Sequence, residues 1–370
     1  MNELKIPYVN LKAQWESEKS ELLPIIESVL ASGNYVGGEV VDEFERIVAK
    51  YLGSPHCVAV NSCTDALVLG LAALGVRRGD EVITPPNSFV ASTAAIVHLG
   101  ATPVFVDVLP SQSINPNLVE KAITSKTKAI MPVHLGGRMV DMAQISEIAT
   151  KYKIAIIEDA AQSIGSTFDG KLSGTFGDVG CFSAHPLKNL NALGDGGFVC
   201  FKSQELADQV KKLRSHGSID RNTVEMFGYV SRLDAIQAAV LTYRLTRLEM
   251  TINSRRKNAA LYRSLLNPNF VFVPDEDSRE RNSYHTFVIQ VDRRDELADH
   301  LTSCGIGTAI HYPIPIHMQP AAKYLGFGLG SFPATESQSK RILTLPINQH
   351  LTDNEVREVA NTINKFFERK

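Results

Sequence analysis

From about residue 57 the chain alternates short apolar, β-rich runs with helical stretches: CVAVNS, DALVLGLAALG, EVITPP, ASTAAIVHLG and TPVFVDV, then KAIMPVHL, DMAQISEIATKYK, AIIEDAA, VGCFSA and GGFVCF. Strands that are apolar throughout have no face to offer to water, and intervening helices return the chain so that successive strands run the same way. The pattern predicts an α/β domain with a mainly parallel sheet covered by helices on both faces. In such sheets a ligand sits beyond the carboxyl ends of the strands, so chemistry is expected in the loops that follow these runs.

A helical pattern extends from Ser231 to about Leu266, where Asn267 and Pro268 stop it. Leu233, Ile236, Val240 and Tyr243 form one stripe; Leu241, Leu245, Leu248 and Ile252 form its neighbour. One helix of that span is about 50 Å long, which predicts a bridge between two domains. Beyond it FVFV, YHTFVIQV and GTAIHY read as strands, and RDELADHLTSCG and NEVREVANTINKFFE as helices. The expected division is a large α/β domain over residues 1–254, including the amino-terminal segment and the start of the bridging helix, and a small α+β domain over residues 255–370.

Charge and cysteine usage narrow the function classes. Lys plus Arg number 38 against 40 Asp plus Glu, a net charge of -2 that does not favour a polyanion-binding surface, so nucleic acid is not expected as a partner. No apolar run approaches the roughly 20 residues that span a bilayer, and MNELKIPYVNLKAQWE lacks the apolar stretch of a secretion signal. A soluble, cytoplasmic protein is expected. Cys57, Cys63, Cys181, Cys200 and Cys304 are odd in number, widely spaced and without a CxxC pair, and read as reduced thiols. His134, His185, His216, His311 and His317 show no metal-ligand spacing, so no metal is expected; His185, three residues before Lys188, is the histidine nearest the candidate chemistry.

That chemistry lies in IIEDAAQSIGS and DVGCFSAHPLKNLNALGDGG. Asp159 ends one apolar run, and Ser183 ends another, five residues before Lys188. If the two strands are neighbours, a carboxylate, a hydroxyl and an amine converge on one crevice. A lysine there can lose its proton and attack a carbonyl to form an imine, while a nearby acid keeps a pyridine nitrogen protonated. Taken alone, an Asp and a Lys after strands are more often solvent-facing or salt-bridged than catalytic. Ser62, Cys63 and Thr64 lie between a strand and a helix, where free amides suit a phosphate dianion or simply cap the helix.

Together with ASGNYVGGEVVDEFE, NSCTDALVLGLAALG, GDEVITPPNSFVAS, GATPVFVDV, PVHLGGRMVDM, SRLDAIQAAVL and IHYPIPIHMQP, these blocks stand in family-like order, and the chain resembles the DegT/DnrJ/EryC1/StrS family of sugar aminotransferases over nearly all its length. The resemblance implies the aspartate aminotransferase fold (PLP fold type I), with pyridoxal 5'-phosphate as cofactor. It also implies L-glutamate as amino donor, a nucleotide-linked 3-keto or 4-keto deoxyhexose as acceptor, and a role in cell-surface polysaccharide, lipopolysaccharide or glycoside biosynthesis. A homodimer with the active site at its interface is implied as well.

By the same resemblance Lys188 corresponds to the Schiff-base lysine, Asp159 to the partner of the pyridinium nitrogen, Gln162 to the residue near the phenolic oxygen and Phe89 to the ring on the pyridine face. Ser62, Cys63, Thr64 and Ser183 fall where the cofactor phosphate is held. HYPIPIHMQP resembles a segment near the nucleotide-sugar site, making Tyr312 and His317, with His185, candidate substrate contacts. GYVSRLD departs from the family, with Val230 where an Asn commonly reaches the partner subunit's phosphate, and the HPLKN and GDGG wording is uncommon. These departures leave open a branch acting on a free acidic sugar such as an 8-oxo-3-deoxy-octulosonate. Lys188 argues against a PLP-dependent sugar dehydratase, in which histidine replaces it, and the intact set of Lys188, Asp159, Gln162 and Phe89 argues against a non-catalytic sugar sensor.

Overall fold

The computed structural model describes residues 4–368. Its main sheet takes β1 (His56–Val60), β2 (Glu81–Thr84), β3 (Thr102–Phe105), β4 (Thr127–Ile130) and β5 (Ala155–Asp159). After a short ribbon of β6 (Thr167–Phe168) and β7 (Lys171–Leu172), it adds β8 (Val179–Ser183) and β9 (Gly197–Phe201). The seven strands lie in the order β1-β9-β8-β5-β4-β2-β3. Strands β3, β2, β4, β5 and β8 pair in parallel, and β9 runs antiparallel to both of its neighbours. This is the expected α/β arrangement. Alternate residues of β9 serve two cores: Val199 and Phe201 pack under the helix Cys63–Ala73, whereas Phe198 and Cys200 pack with Phe44 and Leu241 on the other face. With both faces covered, every residue of the strand is buried.

A second, three-stranded sheet is built from β10 (Val271–Phe272), β12 (Phe287–Val291) and β13 (Ile342–Leu345), while β11 (Glu280–Arg281) joins the ribbon of β6 and β7. Its core holds Tyr262, Phe287, Leu297 and Val359, and also Ile6, which the amino-terminal segment delivers through a bridge to Ile306. Among the described residues no helix is long and apolar enough to cross a membrane.

Two sequence expectations need correction. The single long helix is two, Ala235–Leu245 and Leu248–Leu265. The neighbouring apolar stripes conceal the break because Leu241 and Leu245 before it and Leu248 and Ile252 after it all enter the same core; only farther on do Ala259 and Tyr262 reach the second core. The cysteines are not all reduced: Cys57 and Cys200 form a disulfide, while Cys63, Cys181 and Cys304 are free. The bonded pair sits directly opposite on β1 and β9, a register that residues 143 apart in sequence do not reveal.

The loop that follows β8 carries Lys188 and is fastened from two sides. Arg244 pairs with Glu18 at 2.8 Å, both side chains buried, and its Nη1 donates to the carbonyls of Asn191 (2.8 Å) and Ala192 (3.3 Å). Asn191 Nδ2 donates to Pro186 O at 2.7 Å and to Gln14 Oε1 at 3.1 Å. On the far side Asn189 Nδ2 donates to Ser283 O at 2.9 Å, tying the loop to the segment before β12. Removing one member of a buried ion pair leaves the other charge uncompensated. Glu18→Ala is therefore expected to lower unfolding stability by about 3–5 kcal/mol, read from the urea midpoint. A loss below about 1 kcal/mol, the worth of an exposed pair, would show that the pair does not hold this loop.

Candidate active site

The carboxyl ends of β1, β5 and β8 open onto a cavity of about 390 Å³. Asp159, the last residue of β5, is buried there. Ser92 Oγ donates to its Oδ2 at 2.7 Å and the Ala161 amide to its Oδ1 at 3.1 Å. Burial nonetheless raises the carboxyl above its ordinary range, against these two hydrogen bonds. Among the described residues no cationic side chain forms an ion pair with it. Ser92 comes from the first turn of the helix Val90–His98, and Phe89, 53% exposed, stands immediately before that helix on the cavity wall. One helix start thus supplies both a flat ring and the hydroxyl that braces the acid.

Lys188 lies on the opposite loop, its amide bonded to His185 O at 2.8 Å. Burial pulls its ammonium below the ordinary lysine value, with Cys63 and Asp159 opposing. The neutral, nucleophilic amine is therefore reached at lower pH than for a free lysine. Below it, the helix Cys63–Ala73 begins at the cavity. Ser62 caps it by accepting from Asp65 N at 3.2 Å, which leaves the Ser62 hydroxyl proton and the amides of Cys63 and Thr64 facing a ligand site. Burial pushes the Cys63 thiol well up, so it stays neutral. Gly197 makes this arrangement possible: a Cβ there would stand 2.5 Å from Ser62 C and 2.7 Å from Cys63 N. Ser183 pairs with Gly197 in the sheet, and its Oγ accepts from His185 N at 3.3 Å.

Gln162 Oε1 accepts from Gly136 N at 2.7 Å, and its Nε2 points to Tyr312 Oη at 3.4 Å. Burial pushes the Tyr312 phenol up to about 12, and its ring lies 5.6 Å from that of Phe89. The structure therefore brings Ser62, Cys63, Thr64, Phe89, Asp159, Gln162, Ser183, His185, Lys188 and Tyr312 to one cavity. His317 does not join them. The turn Ile316–Met318 points it inward, where Nε2 meets Glu336 Oε1 at 3.1 Å and the ring packs edge-on to Phe332. The expectation that it contacts substrate is corrected: within HYPIPIHMQP, Tyr312 and His311 face the cavity and His317 supports the fold.

Sequence reasoning missed Tyr8, Ser92, Arg255, His285 and Asn348 at this cavity or beside it. Only Ser92 carried a local signal, three residues after Phe89 at a helix start. Val230 lies outside the cavity of its own chain and is 52% exposed. The adjacent Ser231 is buried, its hydroxyl donating to Asn61 Oδ1 at 3.2 Å and accepting from Asn61 N at 3.3 Å.

Taken together, the cavity offers a buried carboxylate lacking a cation, a helix start lacking an anion, an amine whose pKa burial lowers and an aromatic face. A flat, protonated nitrogen heterocycle bearing a phosphate and a carbonyl matches all four.

Comparison with known proteins gives the same direction. The profile of the DegT/DnrJ/EryC1/StrS aminotransferase family matches residues 16–364. The chain is 40% identical over 371 residues, covering 99% of it and 97% of the relative, to the dTDP-3-amino-3,4,6-trideoxy-alpha-D-glucose transaminase of Streptomyces venezuelae. It is 38% identical over 368 residues, covering 98% of it and 99% of the relative, to a pleiotropic regulatory protein of Geobacillus stearothermophilus. Among solved structures, S. venezuelae DesV in complex with a ketimine intermediate superposes with a TM-score of 0.96 at 40% identity, covering 99% of both chains.

The histidines of this cavity give a pH test. Burial is the main cause holding His311 down to about 4 and His285 well below the ordinary value of 6.5, with the charge of Lys188 adding to both. Between pH 6.5 and about 4 these two side chains bind more protons in the unfolded chain than in the folded one, so their contribution to stability falls as pH falls through that window. Urea unfolding at pH 7 and pH 5 is expected to show this loss, and a variant with both histidines replaced by Phe should show less of it. An equal loss in the variant would contradict the assignment.

Proposed function

The chain belongs to the DegT/DnrJ/EryC1/StrS aminotransferase family, and we propose that it is a pyridoxal-phosphate enzyme moving the amino group of L-glutamate to a nucleotide-linked keto sugar. The observation that carries this reading is the meeting of Lys188 with the unpaired Asp159 in one cavity. The cofactor supplies an electron sink when bound. The amides of Cys63 and Thr64, with the Ser62 and Ser183 hydroxyls, would hold its phosphate. Asp159, braced by Ser92 and Ala161, would receive the charge of the ring nitrogen; Phe89 would cover the ring face, and Gln162 would serve the phenolic oxygen. Lys188 would anchor the cofactor, give way to the donor amine and, as the free amine, take the proton from the donor's α-carbon. Tyr312 and His185, on the cavity wall, meet the sugar. The name of the Streptomyces relative supports a 3-keto sugar. The regulatory relative is not followed, because Lys188, Asp159, Gln162 and Phe89 are all present and meet at this cavity.

The enzyme acts as a homodimer with the active site at the interface. Support comes from a hairpin with bridges Ser215 to Val230 and Ser218 to Val224. It exposes Ile219, Val224, Tyr229 and Val230, and Phe227 is 100% exposed. It ends at Ser231, whose bond to Asn61 adjoins Ser62 on the cavity wall. An apolar edge of this kind is suited to a second copy. Sedimentation is expected to show a dimer that Phe227→Asp dissociates; an active wild-type monomer at assay concentration would refute the assembly.

The chemical reading is tested with a panel of nucleotide-linked 3-keto and 4-keto sugars and free keto sugars, each with L-glutamate. Formation of 2-oxoglutarate and the amino sugar from a nucleotide-linked 3-keto member, abolished by Lys188→Ala, is expected. Turnover with free sugars alone, or undiminished turnover in the variant, would reject it.

A further inference from the structure

Four arginines are buried in the described residues: Arg138, Arg244, Arg255 and Arg294. Three of them face a carboxylate, Arg138 with Glu280 at 3.0 Å, Arg244 with Glu18 at 2.8 Å and Arg294 with Asp295 at 2.5 Å. Arg255 has none. Its Nη1 donates to the carbonyls of Tyr284 and His285, both at 3.2 Å, and its Nη2 to Gln349 Oε1 at 3.2 Å. Its Nε, also buried, has no partner. Neutral oxygens orient a guanidinium but do not cancel its charge. Burial accordingly pulls Arg255 down to about 10.

This uncompensated cation lines the same cavity as Lys188. Beside it stands a second orphan, since His285 Nδ1 is buried without a partner. Burial and the charges of Lys188 and Arg255 keep that imidazole neutral, so one ring nitrogen carries a proton it can donate. A guanidinium with no carboxylate of its own, which has a second Nη2 proton to give beyond the one bonded to Gln349, matches the oxygens of a carboxylate. A phosphate is better served by the start of the helix Cys63–Ala73.

We propose that Arg255, together with His285, binds the carboxylate of the amino donor and so selects an amino acid for the first half of the reaction. The assignment rests on the reading that Lys188 gives way to the donor amine, because an amino acid held at both ends presents its α-carbon to that lysine.

The two halves of the reaction separate the possibilities. Cofactor-loaded enzyme is mixed with L-glutamate alone in a stopped-flow experiment, and the aminated form is then mixed with the keto-sugar nucleotide. Arg255→Gln is expected to raise the half-saturating glutamate concentration on the order of ten- to a hundredfold, leaving the sugar half unchanged; Arg255→Lys should recover part of the loss. Calorimetric titration with glutarate, which has the carboxylates but no amine, is expected to show binding that Arg255→Gln abolishes. His285→Phe, which leaves the guanidinium in place, should weaken glutamate in the same direction and serves if Arg255→Gln does not fold. Normal glutamate saturation with weakened sugar-nucleotide binding would assign the cation to the diphosphate and overturn the proposal, as would no change in either half. A wild-type enzyme that binds glutarate through Arg255 but does not react with glutamate would refute the proposed function while leaving the carboxylate site standing.

Discussion

A charge taken out of water must be matched, or it costs several kcal/mol, and the fold obeys this rule nearly everywhere. Glu18 meets Arg244, Glu45 meets Arg214, Glu158 meets His134 and Glu336 meets His317. Among the described buried acids and arginines, Asp159 and Arg255 alone meet no oppositely ionising side chain (arginine, histidine or carboxylate) in a salt bridge or hydrogen bond, and both line the same cavity. One lacks a cation and the other an anion. Ligands that bring both signs match the cavity, and under the proposed function a protonated pyridine ring and an amino-acid carboxylate are those ligands.

The dipeptide at the end of β5 shows how the scaffold sets this up. Successive strand residues point to opposite faces. Glu158 turns into the protein, where its carboxylate accepts from the amides of Gly174 (2.8 Å) and Gly177 (2.7 Å) and meets His134 Nε2 at 2.9 Å. Since Val140 N donates to His134 Nδ1, the ring proton lies on Nε2 and is given to Glu158. Asp159 turns the other way and faces the ligand site. One carboxylate fixes the loops around the strand end, and its neighbour is left free for chemistry. The lysine loop is held with the same economy of parts, since Asn189 and Asn191 tether it to two different regions of the chain.

Much of this was legible in the sequence because it rests on local pattern. Continuous apolar runs gave the parallel sheet, and the rule that ligands sit beyond strand ends led directly to Asp159, Ser183 and Lys188. What escaped depends on distances through space. The Cys57–Cys200 bond is set by the lateral register of β1 and β9; Arg255 looks like any basic residue on a helix until its lack of a carboxylate is seen. His317 and Tyr312 share one short segment, yet a single turn sends one to the core and the other to the cavity. The helix break after Leu245 escaped because the apolar spacing continues across it.

The central claim is that Lys188 is the amine that holds the cofactor. Borohydride reduction of the purified, cofactor-loaded protein followed by peptide mapping tests it most directly. The predicted result is one stable pyridoxyl label on Lys188, absent from Lys188→Ala even though that variant still takes up cofactor. A label on another lysine, or none on a protein that has cofactor bound, would contradict the account.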